Sequence, residues 1–332
     1  MRGFFHKVPL YWGVAILLVM LLFPFVNDSR SMLILLTQIF IFAIFAMSFD
    51  ILLGYTGIVS FGHCMFFGIG AYSTALIFNR LDPTLTNFFL GLCLGILLSA
   101  LVSYVIGLLS LRLKSHFYAM LTLAVSQLFL VLAEKWRGLT YGGDGFTFSV
   151  PDLFKDRTSF YYITLLSVAA VFILLKLFTE SSTGKVLKAI SQNEHRAEAL
   201  GYKSLHYKLI ASVIAGIAAS LSGAFYAVSL RFINTNVFSI EVTLDALLMT
   251  MIGGLGTLAG AIAGAGIIEF LRHYLSELAA HYPIFERWTI FLGFLYIVVL
   301  LGFPSGLAGF IRKLSLKKNR EKQVEKQERV SS

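Results

Sequence analysis

The stretch "ILLGYTGIVSFGHCMFFGIGAY", Ile51–Tyr72, lies inside a long apolar region yet carries five glycines, Gly54, Gly57, Gly62, Gly68 and Gly70. In hydrocarbon every backbone N–H and C=O must find a protein partner. Non-helical backbone survives there only when it is buried in protein or lines a wet cavity. Clustered glycines permit tight turns and close helix approach. Such a chain must fold as packed helices with an interruption, the device by which transporters present backbone to a solute. The candidate pathway residues are Asp50, Gly54, Tyr55, Thr56, Gly57, Ser60, Gly62 and His63. A tightly packed helix–turn–helix with no solute contact fits the same glycines. Asp50 is an intramembrane carboxylate, a functional candidate by default, and a structural hydrogen bond to a neighbouring helix explains it nearly as well.

The rest of the chain sets this stretch in a membrane. Of 332 residues 57% are hydrophobic and 14% charged, where a soluble domain carries about a quarter charged. Mean hydropathy is +0.80. Ten apolar blocks, roughly 10–26, 32–53, 63–79, 88–111, 117–134, 160–178, 207–229, 240–256, 258–276 and 288–304, approach the roughly 20 residues of a membrane helix. The fold class is therefore an all-α polytopic membrane protein with about ten transmembrane helices and a glycine-rich interrupted segment. The first block follows Arg2 and Lys7 like a signal peptide but lacks a small-residue cleavage site, so it reads as a retained helix. An even number of spans puts both termini on one side. The segments that would then be cytoplasmic hold twice as many Lys and Arg as the outer ones, which places both ends inside. The net charge of +9 is an orientation signal rather than a nucleic-acid footprint, because the basic residues sit in loops and tail. Residues 1–311 make one membrane domain; 312–332 are a basic, solvated cytoplasmic tail. Cys64 and Cys93 read as small buried hydrophobes.

Two loops exceed simple connectors. The outer loop 135–159 holds the turn Gly142–Gly145. The inner loop 179–206 predicts one helix over Lys185–Leu200, with Val186, Ala189, Ile190, Ala197 and Leu200 on a shared face and Gly201 as its stop. Within it, Gly184-Lys185 has the look of a phosphate loop but lacks the earlier glycine and the following Ser or Thr, so the chain has no nucleotide site of its own. Gly256, Gly260 and Gly264 recur every four residues and predict a small-residue face for close helix packing. His273, Glu277 and His281 have metal-compatible spacing but read better as a polar helix end, with Glu269 and Arg272 as an ion pair. No HExxH or GxSxG motif suggests an enzyme.

Five segments together resemble the branched-chain amino acid ABC transporter permeases: "ILLGYTGIVSFGHCMFFGIGAYSTA", "GLTYGGDGF", "GKVLKAISQNEHRAEALGYKSLHYKLIASVIAGIAASLSGAFYA", "IGGLGTLAGAIAGA" and "GFPSGLAGFI". They run in family order from about Leu33 to Ile311. The resemblance implies an ABC importer permease fold of the second permease subunit type, in a bacterial or archaeal plasma membrane. It implies a pore shared with a second homologous permease, often as a heterodimer. Two cytoplasmic ATPases would bind the ATP and magnesium, and an extracytoplasmic solute-binding protein would deliver leucine, isoleucine or valine. This chain would bind no cofactor, metal or nucleic acid. The inner loop would dock on an ATPase through Gly184, Lys185, Ala189, Ile190, Asn193, Glu194, Ala197, Leu200 and Gly201. The carboxylate of a zwitterionic solute suits backbone N–H groups, and its ammonium suits carbonyls or Asp50. The chain departs from the family at Asp50, where Asn is expected, and near Gln127, where an acidic residue is common. Those departures leave urea, other amides and other amino acids as alternative solutes. An ATP-independent channel or secondary transporter is the competing class.

Overall fold

The computed structural model describes residues 18–25, 29–111, 115–279, 290 and 293. Its principal helices are α1 (Arg30–Thr56), α2 (His63–Arg80), α3 (Leu85–Ser110), α4 (Ser115–Lys135), α5 (Arg157–Glu180), α6 (Ser182–Gln192), α7 (Glu194–Ala199), α8 (Ser204–Leu230), α9 (Ile240–Gly253) and α10 (Leu258–Ala279). Residues 18–25 are also helical and are held to α5, where the Tyr161 hydroxyl donates to the Met20 carbonyl at 2.6 Å.

The most enclosed helices are α1, α2 and α8, and α8 packs on both of the others as well as on α3. Small residues let these helices approach, since in lipid close packing rather than water exclusion drives association. A Cβ added at Gly70 would stand 1.9 Å from the Ser220 carbonyl oxygen of α8, and one at Gly223 would stand 1.9 Å from that of Phe67 on α2. The contact is reciprocal, and only hydrogen fits at either point. The apolar windows of α1 and α8 are 72% and 67% buried, against 22–28% for α3, α4 and α5. The latter three therefore turn broad apolar faces outward, with Leu97, Leu101 and Leu109 of α3 and Leu166, Leu174 and Leu177 of α5 exposed.

Among the described residues five helices are long and apolar enough to cross a membrane, or six if the pair α9–α10 counts as one span. The expected ten are thus not reached within these residues; the block at 288–304 and much of 10–26 lie outside them. The α2 block falls short of membrane apolarity because His63, Ser73, Thr74 and Asn79 lower it, yet it is almost wholly enclosed.

Blocks eight and nine differ from expectation. α9 and α10 bend by 115° at a short break, and the second helix folds back along the first. Asp245 meets Arg272, a Cβ at Gly264 would stand 1.8 Å from the Met249 oxygen, and one at Gly253 would stand 1.9 Å from the Gly260 oxygen. Gly256 is accordingly not on the small-residue face of α10. It lies in the turn with φ +71°, as Gly254 does with φ +115°. Glycine serves both tight turns and close helix contacts, so the four-residue spacing alone does not separate Gly256 from Gly260 and Gly264. Gly260 and Gly264 do pack helix against helix.

At the far end from α6 and α7, β1 (Phe146–Thr147) pairs antiparallel with β2 (Phe232–Ile233), in the register Phe146↔Ile233 and Thr147↔Phe232. Arg231 donates from Nη2 to the carbonyls of Phe154 and Lys155 at 3.3 and 3.1 Å. The loop 135–159 is thereby fastened to the end of α8.

Candidate functional site

The glycine-rich break is a junction of four elements. α1 ends at Gly57, whose φ of +73° turns the chain while its N–H reaches the Leu52 and Leu53 carbonyls. Residues 57–62 are non-helical and α2 starts at His63. Gly62 abuts α4, since a Cβ there would stand 2.3 Å from the Thr122 oxygen. The Phe61 N–H donates to Thr122 Oγ1 at 3.3 Å. The Cys64 N–H, one of the free donors at the start of α2, donates to Thr243 Oγ1 of α9 at 2.9 Å. Two N–H groups at the break are thus satisfied by hydroxyls from α4 and α9, as apolar surroundings demand.

The hairpin turn closes the other side. Asp50 is fully buried, and its Oδ1 accepts from the Gly256 N–H at 2.8 Å. A Cβ at Gly54 would stand 2.2 Å from both Asp50 Oδ1 and the Gly256 nitrogen. Gly54 is bare so that the turn can reach the carboxylate one helical turn earlier. His63 is fully buried too. Its Nε2 lies 2.8 Å from Ser48 Oγ, and the rings of Phe45, Phe49 and Phe66 surround it at 5.4, 5.4 and 5.7 Å. Ser60 and Thr56 are buried, Tyr55 is half-buried, and Gly57 is exposed. The eight candidate pathway residues follow one another around the break but face different neighbours, Gly54 the hairpin turn, Gly57 α6 and Gly62 α4, and Asp50 and His63 are buried within this chain.

The inner loop folds as two helices rather than the single one expected. Asn193 breaks it, capping α7 by accepting from the Arg196 N–H at 2.9 Å. The buried face comprises Gly184, Leu187, Ile190 and Ala197. Ala189 and Leu200, expected on that face, are exposed: the buried stripe of α6 runs through Gly184, Leu187 and Ile190 and leaves Ala189 outside it, and Leu200 lies beyond the break at Asn193, which resets the helical phase. α6 lies on α1, α5 and α8; a Cβ on Gly184 would meet the Thr179 oxygen at 2.3 Å. Gly201, with φ +90°, ends α7 in a Schellman turn: its N–H donates to the Glu198 carbonyl at 2.8 Å and that of Tyr202 to Ala197 at 3.2 Å. Lys185, Asn193, Leu200 and Tyr202 face outward, while the half-buried Glu194 accepts from Lys208 Nζ at 2.5 Å. Burial pushes the Glu194 carboxyl up, but the Lys208 hydrogen bond and charge outweigh it and hold the group below its ordinary value.

Sequence reasoning missed a third feature. Arg272 Nη2 lies 2.7 Å from Asp245 Oδ2, and Nη1 lies 3.1 Å from Glu269 Oε1. The guanidinium also stands 5.9 Å from the centre of the Phe42 ring. The expected Glu269–Arg272 pair is real, but it is half of a cluster that clips α9 to α10. Asp245 inside the apolar run "TLDALLMT" was the available signal. His273 meets Glu277 at 3.5 Å; His281 lies outside the described residues. Among the described residues no three His, Cys, Asp or Glu side chains gather as a metal site.

The family model described as branched-chain amino acid transport system / permease component matches residues 31–301. The chain is 24% identical to the high-affinity branched-chain amino acid transport system permease protein LivM of Salmonella typhimurium, over 93% of this chain and 77% of that one. It is 24% identical to LivM of Escherichia coli, over 92% and 76%. It is 23% identical to the probable branched-chain amino acid transport permease protein LivM of Methanocaldococcus jannaschii, over 80% and 90%. No solved structure matches the chain.

Proposed function

The chain belongs to the family of branched-chain amino acid transport permeases, and from that premise we propose that it is the membrane subunit of an ATP-driven importer for leucine, isoleucine and valine. It is a multi-pass membrane protein of ABC-type permease kind, a transport subunit rather than an enzyme. In this reading it pairs with a second permease, two cytoplasmic ATPases and an extracytoplasmic solute-binding protein. ATP and magnesium sit on the ATPases. The chain spans with about ten helices and keeps both termini in the cytoplasm, with 312–332 as a basic tail.

The observation that carries the reading is the helix pair α6–α7. One face is sealed on the bundle, and the other offers Lys185, Lys188, His195, Arg196, Leu200 and Tyr202 outward. A bundle with no phosphate loop of its own receives ATP-driven force through such a surface. The break at Gly54–His63 lies directly beside it and forms the moving wall of the pathway in this reading.

The test is reconstitution with the companion permease, ATPases and binding protein, measuring solute-stimulated ATP hydrolysis. Stimulation by leucine is expected. Stimulation by urea or another amide but never by leucine replaces the solute. Failure of the ATPases to associate, with transport by this chain alone, replaces the importer with a channel or secondary transporter.

A further inference from the structure

Asp50 is a charge that the fold only half uses. It is fully buried in α1. Oδ1 holds the hairpin turn through Gly256, and among the described residues Oδ2 has no hydrogen-bond partner. A carboxylate removed from water and faced only by N–H groups of the turn is costly, and buried charges are kept where a counter-charge reaches them. Among the described residues, a cation near enough to act on Asp50 is Lys188 of α6.

Lys188 projects from the exposed face of α6, with Nζ 5.8 Å from the centre of the Tyr55 ring. Tyr55 lies on α1 between Asp50 and the helix end. α6 sits against that end, where Ser191 Cβ is 3.5 Å from the position of a Cβ on Gly57. An ammonium on a flexible four-carbon stem can leave a ring face for a carboxylate through rotamer change and a small helix shift.

We propose that Lys188 and Asp50 form an ionic latch, with the ammonium resting on Tyr55 in the state described here and moving onto Asp50 when α6 is pressed toward the bundle. This rests on the reading of α6–α7 as the ATPase contact. The latch gives Lys188 two discrete positions, as coupling between separated sites requires. It joins α6 to the α9–α10 turn, because Asp50 already holds that turn through Gly256.

A double-mutant cycle tests the latch in the reconstituted complex. Asp50→Asn keeps an acceptor for the Gly256 N–H and removes only the charge, so the turn stays anchored. Asp50→Asn and Lys188→Gln are each expected to lower solute-stimulated hydrolysis about fivefold, and the double variant no further. Additive losses, or either single variant at the wild-type level, overturn the latch. The pair Asp50→Cys and Lys188→Cys, in a Cys93→Ala background, should cross-link faster in the vanadate-trapped complex than without nucleotide. Equal rates overturn it. A wild-type complex without stimulated hydrolysis overturns the importer reading and the latch's trigger with it; additive variants in an active complex overturn the latch alone.

Discussion

Gly223→Ala tests how closely α2 and α8 are packed. The new Cβ would stand 1.9 Å from the Phe67 oxygen, 2.8 Å from its carbonyl carbon and 3.1 Å from the Ala71 nitrogen. Real Cβ contacts essentially never fall under 3.0 Å, so α2 and α8 must separate by at least about 1.1 Å at this point, since backbone on both sides cannot swing away as a side chain would. Overpacking of this kind costs roughly 1–3 kcal/mol, and rigid backbone puts it at the upper end. Alanine returns about 1 kcal/mol of helix propensity, leaving a net loss of about 2 kcal/mol. Gly70→Ala should cost a similar amount. The double variant should cost less than the sum, because one separation of the helices relieves both clashes. The control is Gly266→Ala on α10, where the nearest atom is Ile39 Cγ2 at 3.8 Å; there only the propensity gain remains, and stability should rise by about 0.5–1 kcal/mol. Equilibrium unfolding in mixed detergent micelles, followed by helicity, reads all four variants. A Gly223→Ala variant as stable as the wild type would refute the packing argument, and so would equal effects at Gly223 and Gly266.

Arg272→Met should destabilise the chain by about 3–5 kcal/mol in the same assay, because it strands Asp245 and Glu269 among apolar helices; an unchanged midpoint would remove the cluster as the clip between α9 and α10. His63→Ala empties an aromatic cage and should cost about 3 kcal/mol, whereas Ser48→Ala, which removes one hydrogen bond, should cost about 1 kcal/mol; comparable losses would contradict the cage. Leu200→Asp should leave the unfolding midpoint within about 0.5 kcal/mol of wild type, since the side chain is 74% exposed, while weakening ATPase association measured by co-purification. The Glu194–Lys208 pair should show its contribution only where Glu194 is ionised. Its folded value is depressed, so the contribution is present above the ordinary glutamate range and is lost as pH falls through the lower folded value. Lys208→Met should therefore unfold more easily than wild type at pH 7, with the gap closing under acid; a gap independent of pH would contradict the assignment.

The helices and the break were legible because each follows from local chemistry. α1 and α2 begin and end within a few residues of their apolar blocks, and the cluster Gly54–Gly57–Gly62 marks the interruption between them. Gly201 was readable as a stop because left-handed backbone at a helix end favours glycine. Partners distant in sequence were not legible. Asp50 announces a buried charge but does not say that Gly256, 206 residues later, will hold it. His63 sits in an aromatic cage built largely by the preceding helix. Arg272 shows its neighbour three residues away and hides Asp245, 27 residues back. Asn193 was readable in principle: an Asn followed at once by Glu is a helix start, and recognising it would have divided α6 from α7 and placed Leu200 outward.

α9 has 14 residues, a rise of about 21 Å, against a hydrocarbon thickness of roughly 30 Å. With its first turn set at the interface on the loop side, it would stop about 9 Å short of the opposite one, and its turn would lie where lipid offers no hydrogen bonds. Bilayer thickness then becomes a mechanical load on the hairpin. Longer acyl chains pull the neighbouring interfaces away from a helix that cannot lengthen, at a fraction of a kcal/mol per Å of mismatch. That load falls on the carboxylate of Asp50, which supplies to the turn what a water molecule would supply at the membrane surface.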